Sequence, residues 1–216
     1  MYEFEAIALV AFLFILTYLL GSLRNRRLAV KYAKLIKEQM SPYCSRVGFR
    51  RLGLTGFRVL CQPKDEERRF EKIEMAVSLV DRENLMHYPL SLFTREHDRL
   101  VCWLFPRNEV PFDLDVLSLA EKKLHRKLLG KNTLKEVQGD QADLQGFTTP
   151  LASDVKAAKR FLSHPEVRES LVKASNVLRL LSLSHSESRI HLVGKANRES
   201  IELLLNLALS CGKRFS

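Results

Sequence analysis

The residues able to do chemistry in this sequence are scattered. His97-Asp98 is a single His-Asp pair. A metal hydrolase needs more ligands at fixed spacing, so the pair reads as a surface turn. Asp65-Glu66-Glu67 lacks the alternating ligand spacing of a calcium loop and reads as a solvated acidic turn. Cys44, Cys61, Cys102 and Cys211 lie far apart with no C-x-x-C pair. That spacing argues against zinc and against a disulfide framework; it fits buried thiols in a reducing compartment such as the cytosol. The nine glycines are dispersed, and no phosphate-cradling loop, G-x-S-x-G or H-E-x-x-H occurs. Neither an enzyme nor a bound cofactor is expected. His125 sits among Lys122, Lys123, Arg126 and Lys127. Such a cluster suits a helix C-terminus, whose dipole favours cations, or an RNA-contacting face. Trp103, central in an apolar stretch, is expected in the core.

The remaining signal concerns position rather than catalysis. Ala6 to Leu23 is an uncharged run of 18 residues. As a helix it spans about 27 Å, close to a bilayer core of about 30 Å and closer still to the thinner endoplasmic reticulum (ER) membrane. The preceding residues include Glu3 and Glu5 and no Lys or Arg, unlike a cleaved signal peptide. Arg24, Arg26, Arg27, Lys31, Lys34 and Lys37 follow the run. The positive-inside rule therefore predicts a luminal N-terminus and a cytosolic C-terminal side.

The formal net charge is +10, and residues 24–72 carry 14 Lys/Arg against 5 Asp/Glu, nearly the whole excess. Anionic lipid headgroups would be drawn to Arg24, Arg26, Arg27, Lys31 and Lys34 at about 1 kcal/mol each. Ribosomal RNA phosphates would be drawn by the same field, with Arg50, Arg51, Lys122, Lys123, Arg126 and Lys127 as candidate contacts. For Arg24 to Arg27 the competing reading is that they serve orientation alone.

Period and punctuation supply the elements that must carry these residues. The first helix is predicted to continue to about Met40, with Leu28, Tyr32, Leu35 and Ile36 on one stripe and Arg27, Lys31, Lys34 and Lys37 on another. Pro42 and Gly48 break it. Strands are expected over Leu54 to Gln62, Phe70 to Val80, Arg99 to Phe105, Val177 to Ser184 and Ile190 to Val193. Helices are expected from Asp81 to about Phe93, from Asp113 to about Leu129, from Ser153 or Asp154, from a capping box at Ser163 to Glu166, and from Asn197. The class is α+β: a luminal stretch 1–5, a transmembrane helix 6–23, a basic juxtamembrane helix 24–42, and a cytosolic mixed α/β domain over 43–216.

At the end of the apolar run, Tyr18-x-x-Gly21-x-x-x-Asn25-x-Arg27-Leu28-Ala29 resembles the membrane boundary of the calumin family of ER proteins. Arg82-x-x-Leu85 after a strand resembles a later step of that family. The two final strands, the helix beginning near Glu199 and Lys213-Arg214-Phe215 keep its order. The resemblance is collinear over most of the chain. It implies a single-span subunit of a PAT-like intramembrane chaperone, acting with an Asterix-like protein at the Sec translocon and ribosome on nascent multi-pass membrane proteins. ER calcium homeostasis is the family's other association. Here five residues stand where the family has an acidic luminal region, and the chain ends at Ser216 where its charged C-terminal helix would begin. The first departure argues against luminal calcium buffering by this chain, and the second leaves any ribosome engagement to the globular domain alone. A membrane-anchored lipid-binding or scaffold module is the alternative.

Overall fold

The spacing that predicts a helix to Met40 is realised without interruption. The computed structural model describes residues 2–53, 55–64, 69–84, 96–130, 133–138 and 144–215, and its first element, α1, is Tyr2–Met40. Among the described residues, α1 is long and apolar enough to cross a membrane, and only 6% of its apolar window is buried, so that part is not a core helix. Beyond the apolar run one stripe turns inward: Gly21, Asn25, Tyr32, Ile36 and Met40 are buried. Their separations are near multiples of the helical repeat, which keeps them on one face. Arg27, Lys31, Lys34 and Lys37 are exposed, as their separate stripe requires.

The chain then turns back along α1. Strands β1 (Cys44–Arg51), β2 (Gly56–Pro63), β3 (Phe70–Ser78) and β4 (Arg99–Pro106) form an antiparallel meander. β5 (Leu114–Leu117), a short α2 (Lys122–Leu129), and the two-residue strands β6 (Lys135–Glu136) and β7 (Leu151–Ala152) follow. Helices α3 (Val155–Leu162) and α4 (Pro165–Ala174) lead to β8 (Leu178–Ser184), β9 (Arg189–Lys195) and α5 (Arg198–Gly212). The described strands make one antiparallel sheet in the order β1-β2-β3-β4-β9-β8-β5-β7-β6. Period-two strands place Val59, Ile73, Met75, Leu100, Cys102, Ile190 and Leu192 on its inner face. The C-terminal half of α1 and the buried Ile201, Leu204, Leu205 and Ala208 of α5 close that face. The class is α+β.

Several local expectations change. Residues 114–117 are not the start of a helix from Asp113. Leu114, Val116 and Leu117 are buried and pair with β8, so strand pairing wins and the helix begins only at Lys122. β1 carries no period-two signal because its burial is one-sided and weak, and it is specified by its partner β2. Asp154 and Asn197 cap α3 and α5 as expected, each accepting hydrogen bonds from backbone amides of the first turn. Ser163 instead ends α3, and α4 starts with Pro165 at its first turn, so no capping box forms. Asp81 to Asn84 are not helical; residues 85–93 of the predicted helix, and the acidic turn at 65–67, lie outside the described residues.

The cysteines divide. Cys44 and Cys61, 17 residues apart, are joined by a disulfide across the β1–β2 hairpin, Cα–Cα 5.8 Å. This corrects the expectation of four separate thiols. Antiparallel pairing brings together residues whose sequence spacing carries no sign of it. Cys102 and Cys211 are buried free thiols, and burial pushes each up to about 12. In the denatured, unreduced chain a maleimide–polymer tag is therefore expected on two thiols, and on four after reduction. Four tags without reduction would mean that the cell leaves the hairpin pair open.

Trp103 lies on the sheet's outer face, half-buried, rather than in the core, because Cys102 and Leu104 take the inward positions. It stacks on His191, with centroids 5.8 Å apart and planes at 4°, and Arg58 lies 5.9 Å above it. Arg58 and Lys72 both hold the buried Glu74 carboxylate. Burial, with Arg189 nearby, holds His191 below the ordinary imidazole value. A depressed folded value means that the unfolded chain takes up the proton first. His191 thus contributes stability above about pH 6.5 that is lost as pH falls through the folded value. Trp103 is the sole tryptophan, and an imidazolium stacked on an indole quenches it. Its fluorescence should fall with a midpoint below 6.5, and His191→Gln should abolish that step.

Candidate functional site

Where the apolar run of α1 ends, three stretches of chain converge: α1 itself, the residues after β3, and the residue before β4. Gly21 lies so close to the backbone at Arg82 that a Cβ there would sit 2.1 Å from the Arg82 carbonyl oxygen. One turn on, Asn25 is fully buried. Its Nδ2 donates to the Val80 carbonyl at 3.2 Å, and its Oδ1 accepts from Arg82 Nη1 at 3.0 Å. The same Arg82 nitrogen meets Asp98 Oδ1 at 2.9 Å. Asp98, 6% exposed, also accepts from the Val80 amide at 2.8 Å and from the Tyr32 hydroxyl at 3.2 Å. Burial, then the Asp98 charge, pushes the Tyr32 phenol up to about 12. Every polar atom named here has a partner, which is the condition for a buried network to hold geometry rather than weaken it.

His97-Asp98 is therefore not a surface turn. His97 is exposed, but Asp98 is the hub of a buried network. A carboxylate's burial depends on neighbours from other elements, so nothing local to residue 98 marks it. Asn25 and Arg82 were visible as motif residues, though not as partners.

Beside this latch, α1 and the tip of the β1–β2 hairpin enclose a cleft of about 360 Å³. Arg26, Arg50 and Arg51 rim it, and Val30, Ala33 and Phe49 supply apolar wall. Val30 is 52% exposed and Phe49 43%. The Leu79 amide donates to the Thr55 carbonyl at 2.6 Å, tying the hairpin end to the latch. A second groove, of about 410 Å³, lies along α1 between Leu20, Leu23, Arg24, Arg27, Leu28 and Lys31. Lys34 is exposed and lines neither.

The basic candidates thus fall into two separate groups. Arg26, Arg27, Lys31, Arg50 and Arg51 gather at the end of the apolar run. Lys122, Lys123, Arg126 and Lys127 are exposed on α2, next to β5 near the opposite edge of the sheet. His125 points its Nε2 at the Thr149 carbonyl, 2.9 Å away. Among the described residues, no three His, Cys, Asp or Glu side chains converge as a metal site needs.

Fold and junction together define a class: a long, apolar N-terminal helix latched by a buried polar network onto an α+β domain, with one of two groups of basic residues beside the latch. No family model matches the sequence, and no curated protein sequence is similar to it. A solved structure with a related arrangement is that of the mycobacterial trehalose monomycolate transport factor A. It is 10% identical, the match covers 84% of this chain and 93% of that one, and the TM-score is 0.48. Similarity of that order says nothing about function.

Proposed function

We propose that this chain is a single-span membrane protein whose α+β domain is held against the bilayer as a surface-docking scaffold for anionic headgroups. The observation that carries the reading is the burial of Gly21 and Asn25 under residues 80–82. That contact ties the domain to the last turns of the apolar run. Arg26 begins about 4.5 Å beyond Leu23 by helical rise, at headgroup depth. The hairpin tip with Arg50, Arg51 and the exposed Leu52 lies alongside. Basic residues so placed face the bilayer rather than a distant partner.

The orientation we propose is N-terminus luminal and domain cytosolic, because six Lys/Arg follow the run and none precedes it. An 18-residue run suits the thin ER membrane. The Cys44–Cys61 disulfide is compatible with that side because both cysteines are buried, 5% and 3% exposed, and exchange with cytosolic thiols requires access. The test is hydrogen exchange on the full chain in nanodiscs. Amides at Arg50–Leu52 should be protected in discs containing phosphatidylglycerol and less so in pure phosphatidylcholine. Equal exchange in both would overturn the headgroup reading. Release of the protein by alkaline carbonate would overturn the anchor.

A second reading is a subunit of a PAT-like chaperone for multi-pass membrane proteins in the ER. It is favoured by one observation: Gly21, Asn25 and Arg82, residues on which the calumin resemblance rests, meet in a single contact. Purification in mild detergent should then recover ribosomes, Sec translocon subunits or an Asterix-like protein, and charge reversal at Lys122, Lys123, Arg126 and Lys127 should diminish ribosome recovery. Recovery of none of them would remove this reading and leave the first intact.

A further inference from the structure

We infer that α2 is a second contact with the bilayer surface, lying on anionic headgroups through Lys122, Lys123, Arg126 and Lys127 with Leu119 and Leu124 seated among them. The inference rests on the surface-docking reading and adds to it a second foot, on the other side of the latch from the hairpin tip.

Strand register gives the position. One row of paired residues crosses the sheet from Arg50 of β1 through Ala76 of β3 and Val101 of β4 to Leu117 of β5. From that row β1 continues to Arg51 and Leu52, β3 to Val80 in the latch, and β5 to Ser118, Leu119 and α2, all toward the same end of the strands. α1 meets the sheet at this end, where Asn25 bonds to Val80, and finishes at the other, where the Lys64 amide donates to the Tyr43 carbonyl. The apolar run therefore projects beyond the end that carries the hairpin tip, the latch and the start of α2. Thus α2 is at the opposite edge of the sheet from β1 yet at the same end. By strand spacing, β5 lies about 14 Å from β4.

The chemistry of α2 suits that place. None of its residues is buried, unlike α3, α4 and α5, so core packing does not account for it. Two contacts hold its inner side: His125 Nε2 meets the Thr149 carbonyl, and Glu121, which precedes the helix, pairs with Arg179 at 3.5 Å. The four cations are exposed and have no ion-pair partner among the described residues. Leu119 is 49% exposed and Leu124 36%. Leu124 lies one turn from the exposed Ala120 and three residues from Lys127, so apolar and basic side chains share one edge of the helix. A nucleic acid would use the cations and leave the leucines in water; an anionic bilayer surface takes both. So short a helix binds a membrane weakly alone. Here the anchor makes its docking intramolecular, and weak contacts suffice.

The experiment puts a reporter on α2 of the full chain in nanodiscs. Leu124→Trp in a Trp103→Phe background leaves one indole, on α2. A trace of phospholipid bearing a nitroxide on its headgroup should quench it strongly in discs containing phosphatidylglycerol and weakly in phosphatidylcholine. Ser186→Trp in the same background, exposed on the turn between β8 and β9 at the far end of the sheet, should escape quenching in both. Changing Lys122, Lys123, Arg126 and Lys127 together to Gln should abolish the phosphatidylglycerol-dependent quenching. Circular dichroism of each variant checks folding, and all the altered positions but Trp103 are exposed. Absent quenching of the Leu124→Trp chain, or equal quenching in the two lipids, overturns the contact. If the four-cation variant keeps its quenching but loses ribosomes in mild-detergent purification, α2 is a nucleic-acid face and the inference falls. If exchange at Arg50–Leu52 depends on phosphatidylglycerol while the Leu124→Trp chain is unquenched, the α2 contact fails and the surface-docking reading stands. If tip exchange is indifferent to lipid charge as well, both fail.

Discussion

Replacing Asp98 by Ala is expected to lower the melting temperature of the full-length chain by roughly 10–15 °C, from a loss of about 3–5 kcal/mol. Three donors lose their acceptor at once: Arg82 Nη1, the Val80 amide and the Tyr32 hydroxyl. The costliest remnant is Arg82, whose side chain is 13% exposed and would remain as a cation without its carboxylate. Removing one member of a buried pair costs more than the pair contributes, because the other charge stays behind. Asp98→Asn should recover part of the loss by accepting from Val80 and Tyr32, while leaving Arg82 uncompensated. Tyr32→Phe removes only one bond and should cost about 1 kcal/mol. Tyr32 also gives the alkaline limit its sign. A folded value near 12 against 10 for the free phenol means that its contribution is full below pH 10 and is lost as pH rises through 12. Thermal denaturation in detergent, monitored by circular dichroism, checks all three variants; an Asp98→Ala melting point within about 2 °C of the parent would show that the network is not what joins these elements.

Gly21→Val should have the second largest effect, about 3 kcal/mol, at the upper end for a residue forced into a packed contact. The obstacle is a peptide carbonyl 2.1 Å from the new Cβ and not a side chain that could rotate away. The residues around Arg82 must withdraw from α1, and the bonds from Asn25 to Val80 and from Arg82 to Asn25 go with them. The sheet core and the buried Tyr32, Ile36 and Met40 do not depend on this contact, so the domain should stay folded. The distinguishing measurement is local: trypsin should cut after Arg82 much faster in Gly21→Val than in the parent, with circular dichroism nearly unchanged. Equal cutting rates would mean that α1 and the residues after β3 are not held together here.

The two substitutions separate the roles of the junction. Asp98 supports the domain itself; Gly21 governs only how closely the domain approaches the end of the apolar run. If the domain works at a bilayer surface, Gly21→Val should also weaken the lipid dependence of exchange at the hairpin tip, because the tip and the latch are joined through Thr55 and Leu79.

What the sequence determines by itself is whatever local pattern encodes. The apolar run and its basic flank, the helix to Met40, the two stripes of that helix, the strands over 70–78, 99–106 and 178–184, and the caps Asp154 and Asn197 all follow from periods of two and 3.6 and from single-residue chemistry. Only tertiary structure decides the remainder. β5 is a strand because β8 offers it hydrogen bonds, and Cys44 meets Cys61 because β1 folds back on β2. Trp103 faces outward because its neighbours occupy the inner face. Asp98 becomes a hub, and Arg26 comes beside Arg50 and Arg51, through contacts between residues 16 to 66 positions apart for Asp98's side-chain partners and about as distant for the cleft. Burial and ion pairing depend on what the rest of the chain brings to a residue, and no window along the sequence contains that information.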